Sequence, residues 1–484
     1  MKERRHLLWL DGSCAKSRDI RDVHAPYTGR RAARADQADV SQMRRALAAA
    51  AGAFPRLRAL SRHARSRLLS AMAAGLQARR AELVEMMALE AGKPVALADV
   101  EVSRAVATFT AAAEEAKRYG GEVIPIDTDP SGRAFAPAVS YWVPRGPILA
   151  ITPFNFPLNL AAHKVAPARA GGAPSLLTPA PPAPGPAAIL AQVFERALRS
   201  GDAQEPVPAA ALQVLNCPND VAALAVADPK ISTLSFTGSA AVGWRLQGQA
   251  VGKKVALELG GNAAVIIHRD ADLPRAAARC AAGGFAYAGQ VCISVQRILV
   301  HEDVSARFCR LLLRETDRLG VGDPFDARTI VGPLIDTAAA DRVMSWIAEA
   351  TTRGARVLTG GTRKGNVIAP TVLTRVRPDM KVVCEEIFGP VVVLENYSDF
   401  GRALDAVNAS RYGLQAGVFT DSARLIAEAV SRLEVGAVLV NEVPAYRADV
   451  MPYGGVKASG LGREGVRYAM EDYSERRTVV TWQG

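Results

Sequence analysis

The chain has 484 residues, 49% of them apolar and 22% charged, a balance that fits packed domains and excludes a disordered polymer. Lys and Arg number 59 against 48 Asp and Glu, a net charge of +11. The basic residues run along the whole chain with acids between them, so they form no tail or patch for nucleic acid or a membrane surface.

At roughly 150 residues per domain the length predicts about three domains. Residues 40–118 read as consecutive helices. Asp39 or Ser41 can cap a run through Met43, Leu47, Ala50 and Phe54, which Pro55 is expected to end. A second helix is expected over 61–89, with Leu68, Leu69, Met72, Leu76, Leu83 and Met87 at helical spacing. A third covers 95–118 and ends near Gly120 and Gly121. The pattern then changes. β-Type runs at 123–125 and 135–143 predict a protruding hairpin, because neither is continuously apolar as a buried central strand would be. From 145 to 260, strands at 148–152, 174–178, 212–215, 231–236 and 255–258 alternate with helices at 158–170, 186–199, 219–227 and 240–249. The stretch 179–186 holds five prolines and reads as a rigid loop. Alternation resumes with a strand at 264–267, a helix at 272–288, a strand at 295–300 and a helix at 304–319. This predicts an α/β fold of parallel sheets covered by helices, with no internal repeat.

The six cysteines, at 14, 217, 280, 292, 309 and 384, make no CxxC pair and no zinc spacing. Reduced thiols, no metal site and a cytoplasmic location are therefore expected. The apolar run at 7–10 is too short for a signal-peptide core, and no stretch approaches the roughly 20 residues of a spanning helix.

Three segments carry chemistry. Ala288-Gly289-Gln290-Val291-Cys292-Ile293-Ser294 brings a cysteine out of a Gly-Gln turn. Thr152-Pro153-Phe154-Asn155-Phe156-Pro157 puts an amide at the end of an apolar strand, and Leu257-Glu258-Leu259-Gly260-Gly261-Asn262 does the same for a carboxylate. Each alone has an ordinary packing explanation. Together they form a set for acyl chemistry: a thiolate to attack a carbonyl, an amide N–H for the oxyanion, and a carboxylate to activate water.

With these segments the chain resembles the aldehyde dehydrogenase superfamily over nearly its whole length. Ser235-Phe236-Thr237-Gly238-Ser239, Glu385-Glu386-Ile387-Phe388-Gly389-Pro390 and Met451-Pro452-Tyr453-Gly454-Gly455-Val456-Lys457 match in register with the first three. The wording around Asn155, His163-Lys164 and Cys292 is closest to the lactaldehyde and glycolaldehyde dehydrogenase-like branch. The resemblance implies a Rossmann-like cofactor domain (1–121 and 145–260), an α/β catalytic domain (261–440) and a small β oligomerisation element (122–144 and 470–484). It implies Cys292 as nucleophile, Asn155 and the Cys292 N–H as oxyanion donors, and Glu258 as the base that hydrolyses a thioester. NAD or NADP would be held by Thr152, Pro153, Phe154, Thr178, Gly238, Ser239, Val242, Leu259, Glu386 and Phe388. The strand-to-helix turn at Gly238-Ser239 would face the pyrophosphate.

Two positions depart from the family. Thr178 stands where a ribose-binding lysine is usual, and Pro181 where an acid often discriminates against a 2′-phosphate. A charged hydrogen bond is worth about 1.5–3 kcal/mol, so weaker cofactor binding, changed preference or lost dehydrogenase activity follow in that order. For the substrate, His163 and Arg447 are candidates for an anionic or hydroxylated tail, and Tyr287 and Ile293 for an apolar wall. Val291, in place of the arginine that precedes the nucleophile in branches using phosphorylated aldehydes, argues against a phosphate there. The expected activity is oxidation of a small aldehyde to the acid by a homodimer or homotetramer, with no nucleic-acid or membrane partner. A CoA-acylating enzyme, an esterase or thioesterase acting through Cys292, and a non-catalytic binding protein are the alternatives. Glu258 disfavours the first, since hydrolysis needs that base.

Overall fold

The structure, a computed structural model, describes residues 4–483. Its first large sheet has eight strands in the order Gly460–Leu461, Lys254–Glu258, Thr233–Thr237, Ile148–Ile151, Ser175–Thr178, Leu212–Val214, Leu8–Leu10 and Ser13–Ala15. The five inner strands run parallel, and the outer ones pair antiparallel. Each inner strand is short and apolar, as burial on both faces demands. One face packs Leu68, Met72, Phe109, Val165 and Phe194. The other packs Leu47, Leu149, Leu176, Leu234 and Leu257.

Chain order reverses between Ile148–Ile151 and Thr233–Thr237, neighbours in the sheet. Such a switch point opens a crevice beyond the carboxyl ends of the strands. The Asn155 loop and the Gly238-Ser239 turn both leave from that end.

The second sheet has seven strands, ordered Arg356–Thr359, Thr371–Thr374, Val391–Tyr397, Arg297–His301, Ala264–Ile267, Gln415–Phe419 and Ala437–Val440. All its pairings are parallel except that of the edge strand Arg356–Thr359. Glu122–Ile124 and Ala138–Pro144 form the expected hairpin, joined antiparallel by Ser474–Val479. Among the described residues no helix is long and apolar enough to cross a membrane.

Several elements differ from their expected bounds. The first helix runs Val40–Ala59 straight through Pro55. A proline there removes only the bond to the residue 51 carbonyl, while Ala53 and Leu57 stay buried on either side. Asp39 is its cap, in a reciprocal box with Gln42. The expected 61–89 helix is two, Arg62–Ala78 and Arg80–Ala91, broken at Arg79 (φ −105°, ψ 19°). Arg79 is tied there to Glu82 and Gln192, a tertiary contact with no local sequence signal. The 272–288 helix is Leu273–Phe285, because Tyr287 and Ala288 take positive φ of 52° and 54°. The loop at 179–186 is shorter than read, since Gly185 and Pro186 already open the helix Gly185–Arg199.

Candidate active site

A cavity of about 460 Å³ lies among the loops that leave both sheets, and Cys292, Asn155 and Glu258 all line it. Asn155 follows the strand Ile148–Ile151 and is buried. Its Nδ2 donates to Gln290 O at 2.8 Å, tying the amide to the turn that carries the cysteine. Behind it, Lys93 Nζ donates to Asn155 O at 2.8 Å and to Glu101 at 2.5 Å. Glu101 accepts in turn from the Leu158 and Asn159 N–H groups. Burial lowers Lys93 to about 8 despite the adjacent Glu101 carboxylate.

Cys292 leaves a run of left-handed residues, Tyr287, Ala288 and Gly289. At Gly289 (φ +67°) a Cβ would stand 2.2 Å from Gly389 O, so the turn closes only on glycine. The Cys292 Sγ is 2.9 Å from Tyr453 Oη. Burial pushes the thiol up to about 12, and the Tyr453 hydroxyl opposes that rise.

Glu258 ends the strand Lys254–Glu258 and is buried, with Oε2 making no hydrogen bond. Burial and then the like charge of Glu464 raise it well above the usual carboxylate range, against Arg447, Lys164 and Arg463. Glu464 is itself buried, yet Lys164 (3.0 Å) and Arg447 (3.0 Å) hold it down to about 2.

The same cavity meets the requirements of a dinucleotide. Gly238 and Ser239 line it at the start of the helix Ala240–Gln249, and the Ser239 side chain makes no cap, leaving first-turn N–H groups free. Glu386, Phe388, Pro153, Phe154 and Leu259 line it too. Glu386 accepts from the Gly261 N–H at 3.0 Å, and burial raises its carboxyl to about 7. A Cβ on Gly260 would meet that carboxylate at 2.1 Å. The glycine therefore makes the space that Glu386 occupies.

Other expected residues stand apart. Thr152 and Thr178 are buried at strand ends, outside the cavity lining, and Thr178 bonds the Cys217 thiol beneath the sheet. Val242 packs against the apolar core beneath the sheet. His163 is fully buried behind the cavity, 2.8 Å from Asp449 and 3.3 Å from Arg447 Nη2. Burial and the Arg447 charge lower its proton affinity, so it supports Arg447 instead of facing the cavity. Tyr287 is no cavity wall either, since its hydroxyl donates to Ala91 O at 2.8 Å. Val291, Ile293 and Arg447 do line the cavity.

Several lining residues carry no signal of their own in the sequence. Tyr453 lies inside the segment Met451–Lys457, where nothing marks it apart from its neighbours. Arg104 lies in an alanine-rich helix, Val95–Arg118, with no local mark. It meets Asp449 through two bonds, 3.1 and 2.8 Å. Arg342 and Trp346 come from the helix Thr337–Thr352, a region the reading left unassigned.

A family model for the aldehyde dehydrogenase family matches residues 13–479. The 3-sulfolactaldehyde dehydrogenase of Priestia aryabhattai is 40% identical over 98% of this chain and 97% of its own length. The crystal structure of aldehyde dehydrogenase 21 from Physcomitrella patens, in complex with the reaction product succinate, superposes with a TM-score of 0.96 and 38% identity. That match covers 100% of this chain and 99% of the other. The glyceraldehyde-3-phosphate dehydrogenase GapN of Methanocaldococcus jannaschii, complexed with NADP, gives a TM-score of 0.91 and 36% identity over 95% and 98%. The chain belongs to the aldehyde dehydrogenase family, enzymes of NAD(P)-dependent aldehyde oxidation.

Proposed function

We propose that the protein oxidises a small aldehyde carrying an anionic group, a carboxylate or sulfonate, to the corresponding carboxylic acid. The observation that carries this reading is that Arg104 and Arg447 line the same cavity as Cys292, Asn155 and Glu258. Arg447 is buried with its Nε unbonded, and such a donor is costly unless a ligand satisfies it. Planar guanidinium groups bind carboxylate and sulfonate oxygens well. The names of the sulfolactaldehyde relative and of the succinate complex support the same class.

Cys292 gives up its thiol proton to water and attacks the carbonyl carbon as the thiolate, and Asn155 Nδ2 together with the Cys292 N–H stabilises the oxyanion of the thiohemiacetal. For this, Nδ2 exchanges its bond to Gln290 O for one to substrate. NAD or NADP, when bound beside Glu386 and Phe388, supplies the hydride acceptor. Glu258 takes a proton from water, the resulting hydroxide adds to the thioester, and the acid leaves with the thiol restored. Burial and the Glu464 charge favour the protonated form of Glu258, which returns that proton to the departing Cys292 sulfur.

The cofactor-binding domain is read as 1–121 and 145–260, the catalytic domain as 261–440, and the hairpin with the terminal strand as the oligomerisation element of a homodimer or homotetramer. Neither Thr178 nor Pro181 carries a charge for or against a 2′-phosphate. NAD and NADP are therefore expected to bind within about one order of magnitude of each other.

A test compares succinic semialdehyde with propanal, followed by cofactor reduction. Arg447→Gln should raise KM for the anionic aldehyde by about 10–100-fold with little change in KM for propanal, while kcat falls for both because Arg447 also favours the Glu258 carboxylate. An equal rise in KM for both substrates would reject the anionic assignment.

A further inference from the structure

A second cavity, about 260 Å³, lies where the hairpin meets the body of the protein. Four arginines line it and no acid does: Arg58, Arg62, Arg65 and Arg477. Arg58 comes from the end of the helix Val40–Ala59, and Arg62 and Arg65 from the first turn of Arg62–Ala78. Arg477 comes from the terminal strand Ser474–Val479. Among the described residues, Arg58, Arg62 and Arg477 have no hydrogen-bonded or ion-paired carboxylate. The adjacent Arg476, by contrast, pairs with Glu122 at 2.6 Å.

Arg65 spends its guanidinium on the Leu60, Arg58 and Ala170 carbonyls. The carboxylate that acts on it, Glu205, is bound to the Ser61 N–H. Tyr119 and Trp142 line the cavity as a stacked pair with ring centroids 5.7 Å apart. Converging like charges without counter-charge cost free energy that a bound anion removes.

We infer that this cavity binds a small phosphorylated anion, its phosphate oxygens shared among Arg58, Arg62 and Arg477 and its organic part against the Tyr119–Trp142 pair. A tetrahedral, multiply charged group can accept from several guanidinium groups at once, which a lone carboxylate cannot. The volume of about 260 Å³ fits a compact metabolite. Since Arg477 belongs to the terminal strand and Arg58 and Arg62 to the body, occupancy fastens the hairpin sheet to the helices.

The test is calorimetric titration of the full-length protein with inorganic pyrophosphate in saturating NAD+, which blocks the helix N-terminus of the first cavity. One saturable site per chain is expected. Arg62→Gln with Arg477→Gln should weaken it at least about tenfold. Arg44→Gln with Arg45→Gln, an equal loss of charge elsewhere, should leave it unchanged. Amide exchange over 474–479 should slow with pyrophosphate in the parent protein and not in the Arg62/Arg477 variant. No saturable binding, or binding equally weakened by both pairs, overturns the inference.

Discussion

Cys292 sits where burial favours the neutral thiol, and Tyr453 is the neighbour that resists this. Tyr453→Phe should therefore lower kcat near neutral pH by about tenfold and move the acidic limb of the rate profile to higher pH. An unmoved limb would show that another group sets the thiolate. Glu258 has the converse dependence. Burial and the Glu464 charge raise it, so it is protonated at low pH and becomes a base only as pH rises. Glu464→Gln removes the like charge and frees Lys164 and Arg447, and both changes stabilise the Glu258 carboxylate. The acidic limb of thioester hydrolysis in single turnovers should then shift to lower pH; a shift upward would contradict the coupling. Asn155→Ala should cost about 100–1000-fold in kcat, as for other lost oxyanion donors. Thr178 offers a plainer trial. It ends the strand Ser175–Thr178, and Thr178→Lys should tighten NAD+ in a fluorescence titration if the missing lysine matters.

At the scale of elements, what the chain's own sequence disclosed was local and periodic, and what it hid was tertiary. The alternation of apolar runs and helices located the five inner strands of the first sheet to within a residue or two, because burial on both faces leaves a continuous apolar signature. The motif residues Cys292, Asn155, Glu258, Glu386 and Phe388 converge on one cavity, and each lies within three residues of a glycine, proline or strand end that marks it. Arg104 and the break at Arg79 carry no such mark, since what fixes them is a partner far along the chain. The strands before residue 39 were unread for a similar reason. Arg31–Gln37 takes its place by pairing with Asp19–His24 and Arg5–His6. Lys93 shows how far such hidden elements reach into the site. Its link from the connection after the helix Arg80–Ala91 to Glu101 holds the Asn155 carbonyl and the start of the helix Asn159–Gly171. Glu101→Gln leaves the Lys93 ammonium buried without its counter-charge. The expected outcome is a loss of about 3–5 kcal/mol in denaturant unfolding, with kcat falling further than KM rises.

Over the whole molecule many of the 59 basic residues are paired locally, as in Arg432 with Asp405 and Glu428 or Arg363 with Asp341, and the +11 is the excess over the 48 acids. The apolar surface is less well accounted for within one chain. On and beside the three-stranded sheet, Val123 (71% exposed), Val139, Tyr141, Val480 and Trp482 (67% exposed) stand in solvent. Both outer strands, Glu122–Ile124 and Ser474–Val479, have an open edge. Three short strands carrying exposed apolar side chains are marginal alone, and open edges invite pairing with another chain. A second copy supplies both a cover for the side chains and a partner for the edges. Light scattering should therefore find a dimer or tetramer. Val139→Glu with Trp482→Glu should reduce it to a smaller species without changing the far-ultraviolet spectrum, because neither side chain belongs to the cores beneath the large sheets. A parent protein that is monomeric at micromolar concentration, or a double variant that keeps its full mass, would mean that this sheet is not what joins the copies.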